Sequence, residues 1–331
     1  MTDRPNIILG TAHLADPDTF WGQSDEHILE AFSILKKHGH SKLDSAVAYA
    51  GSEDKLGSLA AGTAHGLTID TKWRGGWAIE EADHSAKGIL AVAEQSLYHL
   101  RVSQVDVFYL HAPSYKTPFE ETLAGVDAAY RAGIFRRFGL SNFSMKDVQR
   151  IYDICKKNNY VLPSVYQGNY SAITRKAEEE LFPLLRKLGV AFYAYSPIAG
   201  GFLAKSAAQI RAGGTRFSPD QMYGLYHHMY VKDALLNALD DWEGIAAREG
   251  ISRAELAYRW IVHHSELKGS YADGAVVGAS RPSQLEETLS FCDGGPLTDA
   301  AVEGIQAIWD KVKDCAPIDN YQAVRGLENR R

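Results

Sequence analysis

Residues 105–141 read VDVFYLHAPSYKTPFEETLAGVDAAYRAGIFRRFGLS and hold one complete repeat of the fold. Val105–His111 is apolar apart from Asp106 and the closing His111 and does not alternate, as expected of a strand covered on both faces of a parallel sheet. Phe119–Ala132 reads as a helix, and Gly133 suits its C-terminus. Phe138–Ser141 is a second short strand, so the stretch is a strand–helix–strand unit.

Outward from it, six further runs read as strands: Asn6–Thr11, Ser41–Ser45, Leu67–Lys72, Ser164–Gln167, Val190–Ser196 and Ala275–Gly278. Helical patterns lie between them at Asp25–His38, Ser85–Leu100, Ser144–Lys157 and Thr174–Leu188. Ser144 suits an N-cap and Gly189 a helix end. The alternation returns about every 30–40 residues, the spacing of βαβ units. Eight units predict an α/β fold, a (β/α)₈ TIM barrel whose sites form at the C-terminal ends of the strands. A doubly wound sheet shows the same alternation, but its GxGxxG fingerprint is absent, as are GxxxxGK[ST] and HExxH. Residues 201–232 form a long connection. Asp233–Glu249 and Ser252–His264 read as extra helices, the second opening on a capping-box pattern, Ser252 with Glu255. Ser283–Phe291 and Thr298–Cys315 follow, then a polar tail from Ala316. No linker divides residues 1–331, which read as one barrel domain with added helices and long loops at its C-terminal face.

Of the 331 residues, 45% are apolar and 23% charged, an ordinary globular composition. The formal net charge of −6 argues against a nucleic-acid partner held by backbone electrostatics. Cys155, Cys292 and Cys315 are odd in number and widely spaced, which argues against a disulfide framework or a thiolate metal site. The absence of an 18-residue apolar run or a leader pattern leads to the expectation of a cytoplasmic protein with no membrane association.

Four residues at or just past strand ends carry the chemistry: Asp44, Tyr49, Lys72 and His111. A phenol titrates near 10 on its own, and an adjoining ammonium can lower that by roughly 1–3 units. A carboxylate would hold the lysine in place, and a histidine could orient a carbonyl oxygen. Together they can protonate a carbonyl while hydride arrives from elsewhere. Ser141-Asn142 offers donors and acceptors for an amide. Gly200-Gly201 permits close backbone approach to a phosphate, and Lys205 and Arg216 provide counter-charge.

The segments LDSAVAYAGSEDKLG, TKW, YLHAP, GLSNFS, VYQGNYS, YSPIAGGFLAK and VVGASRPSQLEETL resemble the aldo-keto reductase superfamily in order and spacing. VYQGNYSAITRKAEEELFPLLRKLG is particularly similar to its aflatoxin aldehyde reductase-type branch. The resemblance implies NADPH-dependent reduction of aldehydes or ketones, with NADPH lying across the barrel mouth and Tyr49 as general acid. It implies that Ser141, Asn142 and Gln167 hold the nicotinamide amide and that Tyr195 stacks on the ring. Ser196, Ile198, Gly200 and Gly201 would meet the pyrophosphate. Lys205, Arg216, Gly278, Ser280, Gln284 and Glu287 would seat the adenosine end, and Arg281 could add a phosphate contact. The branch also suggests a homodimer and a small-molecule carbonyl substrate. Thr288 stands where relatives carry an adenine-contacting Asn. YGLYHHMY stands where the branch carries arginines, which points to a neutral carbonyl.

Two alternatives remain open: a cofactor-sensing protein like the channel β-subunits, and a ketoreductase of secondary metabolism. Trp21, Trp73, Tyr223, Tyr226 and Tyr230 are candidates for an apolar substrate wall, with loop packing as the equal alternative. The pairs His227-His228 and His263-His264 lack acidic or thiolate partners at ligand spacing, so no metal is expected.

Overall fold

The computed structural model describes residues 3–76 and 83–328. The described residues form eight strands: β1 (Asn6–Gly10), β2 (Lys42–Asp44), β3 (Thr68–Trp73), β4 (Val105–Leu110), β5 (Phe135–Ser141), β6 (Pro163–Asn169), β7 (Ala191–Tyr195) and β8 (Gly274–Val277). They pair in parallel in chain order and close when β1 meets β8, with Asn6 opposite Gly274 and Leu9 opposite Val277. With helices between strands this is a (β/α)₈ TIM barrel. Each expected strand is found, with small changes at the ends. β5 begins three residues early because Phe135 pairs with Val105.

Serine caps start several helices. Ser24, Ser85, Ser144 and Ser252 accept hydrogen bonds from the N–H groups of Glu26, Gly88, Asp147 and Glu255. The expected capping box at Ser252 is half formed, since the Glu255 carboxylate meets Arg259 instead. The single helix expected at Thr174–Leu188 is two pieces, a 3₁₀ turn at Lys176–Glu178 and a helix at Leu181–Leu188. Pro183 explains the break: it has no N–H to donate and is tolerated only in the first turn. The extra helices Asp233–Glu249 and Arg253–His263 are present. Three short helices at Ser52–Ser58, Ala207–Arg211 and Leu225–Tyr230 were not expected, nor was the helix Asn320–Glu328 in the polar tail.

The core has two parts. A large outer shell fills the space between strands and helices, with Phe32, Phe108, Phe138 and Phe192 fully buried. A smaller cluster fills the barrel: Ile8, Val107, Tyr109, Val165, Ala191, Tyr193 and Val276. The Tyr109 ring occupies the space over Gly139, where a Cβ would lie 2.2 Å from it. Among the described residues no helix is long and apolar enough to cross a membrane.

Candidate active site

Asp44 ends β2 and Lys72 lies near the end of β3; both are buried. Lys72 Nζ lies 2.7 Å from Asp44 Oδ2 and donates to the Ser45 carbonyl at 2.8 Å. The second carboxylate oxygen of Asp44 accepts from Gln167 Nε2 on β6 at 2.8 Å. Both oxygens of this buried carboxylate therefore have donors, as a buried charge requires.

Beyond β2 the chain remains tied to β3. The Ser45 N–H donates to the Asp70 carbonyl and the Val47 N–H to the Lys72 carbonyl, before a turn closes from Tyr49 N to the Ala46 carbonyl. This turn holds Tyr49 over the pair, with Lys72 Nζ 5.0 Å from the centre of its ring. His111, just past β4, is fixed through its N–H to the Trp73 carbonyl. Its ring stands edge-on to Tyr49, with centres 5.8 Å apart.

The electrostatics qualify one expectation. Enclosure pushes the Tyr49 phenol upward, Lys72 pulls it down and Asp44 pushes it up again, and the net direction is above the ordinary 10.0. The lysine acts as expected, but desolvation outweighs it. Lys72 is held above its usual value, with desolvation opposed by Asp44 and Tyr49. Burial and the nearby Lys72 charge hold His111 well below 6.5, so its ring is neutral at physiological pH.

Above these residues opens a cavity of about 820 Å³, whose lining includes Asp44, Tyr49 and His111 and also Ser280, Arg281 and Gln284. Its walls bring together Ser141, Asn142, Gln167, Tyr195, Ser196, Ile198, Gly200, Gly201, Lys205, Arg216 and Gly278. Lys72 lies beneath this lining, and Glu287 is exposed on its helix outside it. Asn142 and Ser196 have φ of 61° and 55°, a left-handed backbone that costs of order 1 kcal/mol or more outside glycine. Asn142 is held there by Nδ2 donating to the His111 carbonyl and by Oδ1 accepting from the Tyr195 hydroxyl at 2.8 Å.

The cavity fits a dinucleotide. A Cβ on Gly201 (φ 97°) or on Gly278 would meet nothing within 4 Å, leaving open space where a ligand backbone could approach. Lys205 and Arg216 face the same space, with Arg216 packed 5.0 Å from the centre of the Tyr226 ring. Ser280 and Gln284 are already bonded, Oγ to Oε1 at 2.7 Å.

Of the aromatic candidates, Trp21 and Tyr226 line the cavity. Trp73 and Tyr230 are buried in packing, and Tyr223 is 80% exposed and outside the lining. His227, His263 and His264 bond to backbone groups at Phe217, Gly294 and Leu297. Thr288 is buried. Two wall segments escaped sequence reasoning. Ala12, His13, Asp16 and Phe20 come from the loop after β1, which has no periodicity. Asn320 comes from the tail helix, and its N–H donates to the Tyr195 hydroxyl at 3.2 Å. The signal there was Asp319 followed three residues later by Gln322, whose N–H Asp319 accepts at 2.7 Å.

Residues 6–310 match the aldo/keto reductase family. An aldo-keto reductase of Pseudocercospora fijiensis is 37% identical over 287 residues, covering 84% of this chain and 96% of the relative. Oxidoreductase sirO of Leptosphaeria maculans is 35% identical over 323 residues, 95% and 97% of the two chains. Aflatoxin B1 aldehyde reductase member 2 of Homo sapiens is 36% identical over 307 residues, 88% and 83%. The chain belongs to the aldo/keto reductase family, and its general activity is carbonyl oxidoreduction.

Proposed function

We propose that this protein reduces aldehydes or ketones to alcohols with NADPH, Tyr49 giving the proton. The observation that carries this reading is the convergence of Tyr49, His111 and the Lys72–Asp44 pair, joined at 2.7 Å, at the foot of a cavity with room for a dinucleotide. The reduced nicotinamide, when bound, supplies hydride to the carbonyl carbon. Ser141, Asn142 and Gln167 would hold its amide, with Tyr195 against the ring. Lys205, Arg216 and Ser280 provide charge and a donor for a 2′-phosphate, which favours NADPH over NADH.

The substrate oxygen lies between Tyr49 and His111. As negative charge develops on it, the phenol O–H bond breaks and its proton passes to oxygen, forming the alcohol. Lys72 stabilises the phenolate left behind, and Asp44 keeps Lys72 charged. Neutral His111 donates a hydrogen bond and adds no charge of its own. The tyrosine stays protonated at neutral pH because its net shift is upward. YGLYHHMY in place of the branch's arginines, with Trp21 and Tyr226 on the walls, suits a neutral carbonyl; a cytoplasmic homodimer is the setting we infer.

Tyr49→Phe tests the acid. Turnover of a good aldehyde should fall by at least 10²-fold with NADPH binding, followed by fluorescence, near wild type. Wild-type turnover in the variant would overturn the assignment.

A further inference from the structure

Beneath the Lys72–Asp44 pair, the barrel interior is charged where such interiors are ordinarily filled by branched aliphatic side chains. Asp70, 1% exposed, stands on β3 two residues before Lys72. Both side chains therefore leave the same face of the strand, into the barrel, roughly 6.6 Å apart along it. Across to β2, Asp70 is the register partner of Asp44. Its Oδ1 accepts from the Val107 N–H at 3.2 Å and lies 3.4 Å from Lys42 Nζ; Oδ2 has no hydrogen-bond partner among the described residues.

The charged and titratable groups around it are Lys42 and Asp44 from β2, Lys72 from β3, Asp106 and Tyr109 from β4, Arg137 from β5 and Tyr193 from β7. Lys42 and Arg137 both pair with Asp106, Arg137 through two hydrogen bonds of 3.1 and 2.7 Å. Asp106 is thus neutralised by two cations, whereas among the described residues the ion pair of Asp70 is a shared, longer contact to Lys42. Towards the mouth, Lys72 follows two residues along β3 and feels the Asp70 charge, with its Nζ 5.7 Å from the centre of the Tyr109 ring.

We propose that Asp70 is a positioning residue for proton delivery: set under the Lys72–Asp44 pair, its carboxylate holds Lys72 as the ammonium and keeps the Tyr49 phenol protonated into the alkaline range. Enclosure raises the Asp70 carboxyl to about 7, with Lys42 opposing, so the carboxylate is present at the alkaline pH where Tyr49 would ionise. A negative charge below the phenol favours its protonated form, and removing that charge lets the phenol ionise sooner.

This inference rests on Tyr49 as the proton donor, and the test separates the two. The pH profile of kcat/KM for aldehyde reduction is measured for wild type, Asp70→Asn and Tyr49→Phe. Asp70→Asn should move the alkaline limb down by roughly half to one pH unit, with cofactor affinity and the neutral plateau near wild type. Asp70→Ser, which also keeps an acceptor for the Val107 N–H, serves if the Asn variant does not accumulate. An unmoved limb, or a lowered plateau without a moved limb, overturns the positioning role while leaving Tyr49 as donor. Wild-type activity in Tyr49→Phe overturns the donor reading itself.

Discussion

Replacing Lys72 by Met separates the structural from the chemical role of the buried ion pair. The two charges stand 2.7 Å apart, with side chains 0% and 4% exposed. At an effective dielectric constant of about 20, their direct attraction is on the order of 6 kcal/mol. Desolvation of both groups offsets much of this, so the intact pair adds little net stability. Lys72→Met retains the cost and removes the gain: Asp44 stays buried with Gln167 as its remaining side-chain donor. The expected loss is about 3–5 kcal/mol, the range for breaking a buried pair from one side. Asp44→Asn in the same chain removes the orphaned charge and should recover about 2 kcal/mol or more of that loss. Urea denaturation of wild type, both single variants and the double variant measures this, provided the slopes with denaturant agree. Two results would refute the reasoning: a Lys72→Met loss under about 1 kcal/mol, or additive single effects, which would mean that the pair is not energetically coupled. Activity should stay low in the double variant, because the phenolate has lost its counter-charge whether or not the fold recovers.

Tyr195→Phe removes the hydroxyl that donates to Asn142 and accepts from the Asn320 N–H. The start of the tail helix should loosen by about 1 kcal/mol, seen as faster amide exchange over residues 320–328; unchanged exchange there would show that the helix is held by other contacts. Stability should also report the charge of Asp70. Below about pH 4 the carboxyl is protonated in both folded and unfolded chains. Between there and about 7 the unfolded chain has lost the proton while the native state keeps it, so stability is lost as pH rises through that window. Asp70→Asn lacks this loss, and its stability relative to wild type should improve from pH 5 to pH 8 by on the order of 1–4 kcal/mol; a constant difference would argue against the raised carboxyl.

These strand ends were legible because their runs stop at polar residues, so Asp44, Lys72, His111 and Ser141 could be assigned to one mouth. The spacing could not show that Gln167 donates to Asp44, since that contact joins β2 and β6 over 123 residues. Asp70 was hidden in plain view. Thr68, Asp70 and Lys72 are polar at every second position of a strand buried on both faces, a pattern masked by reading LTIDTK only by its end. The loop after β1 and the tail helix contribute walls without periodicity, and their placement depends on long-range contacts such as Trp21 Nε1 to the Ala279 carbonyl at 2.7 Å. Trp73 and Tyr230 went the other way: position alone could not tell a wall from packing, and both are core.

Closure of the barrel by β1 and β8 sets a timetable for the growing chain. Asn6 leaves the ribosome early, yet its partner Gly274 does not exist for another 268 residues. At the usual pace of synthesis, β1 waits roughly 15–50 s with one edge open. An apolar strand held in that state is open to pairing with a neighbouring nascent chain. The shortness of β1, five residues with an exposed Asn6 at its start, limits what a neighbour could grip while the last strand is being made.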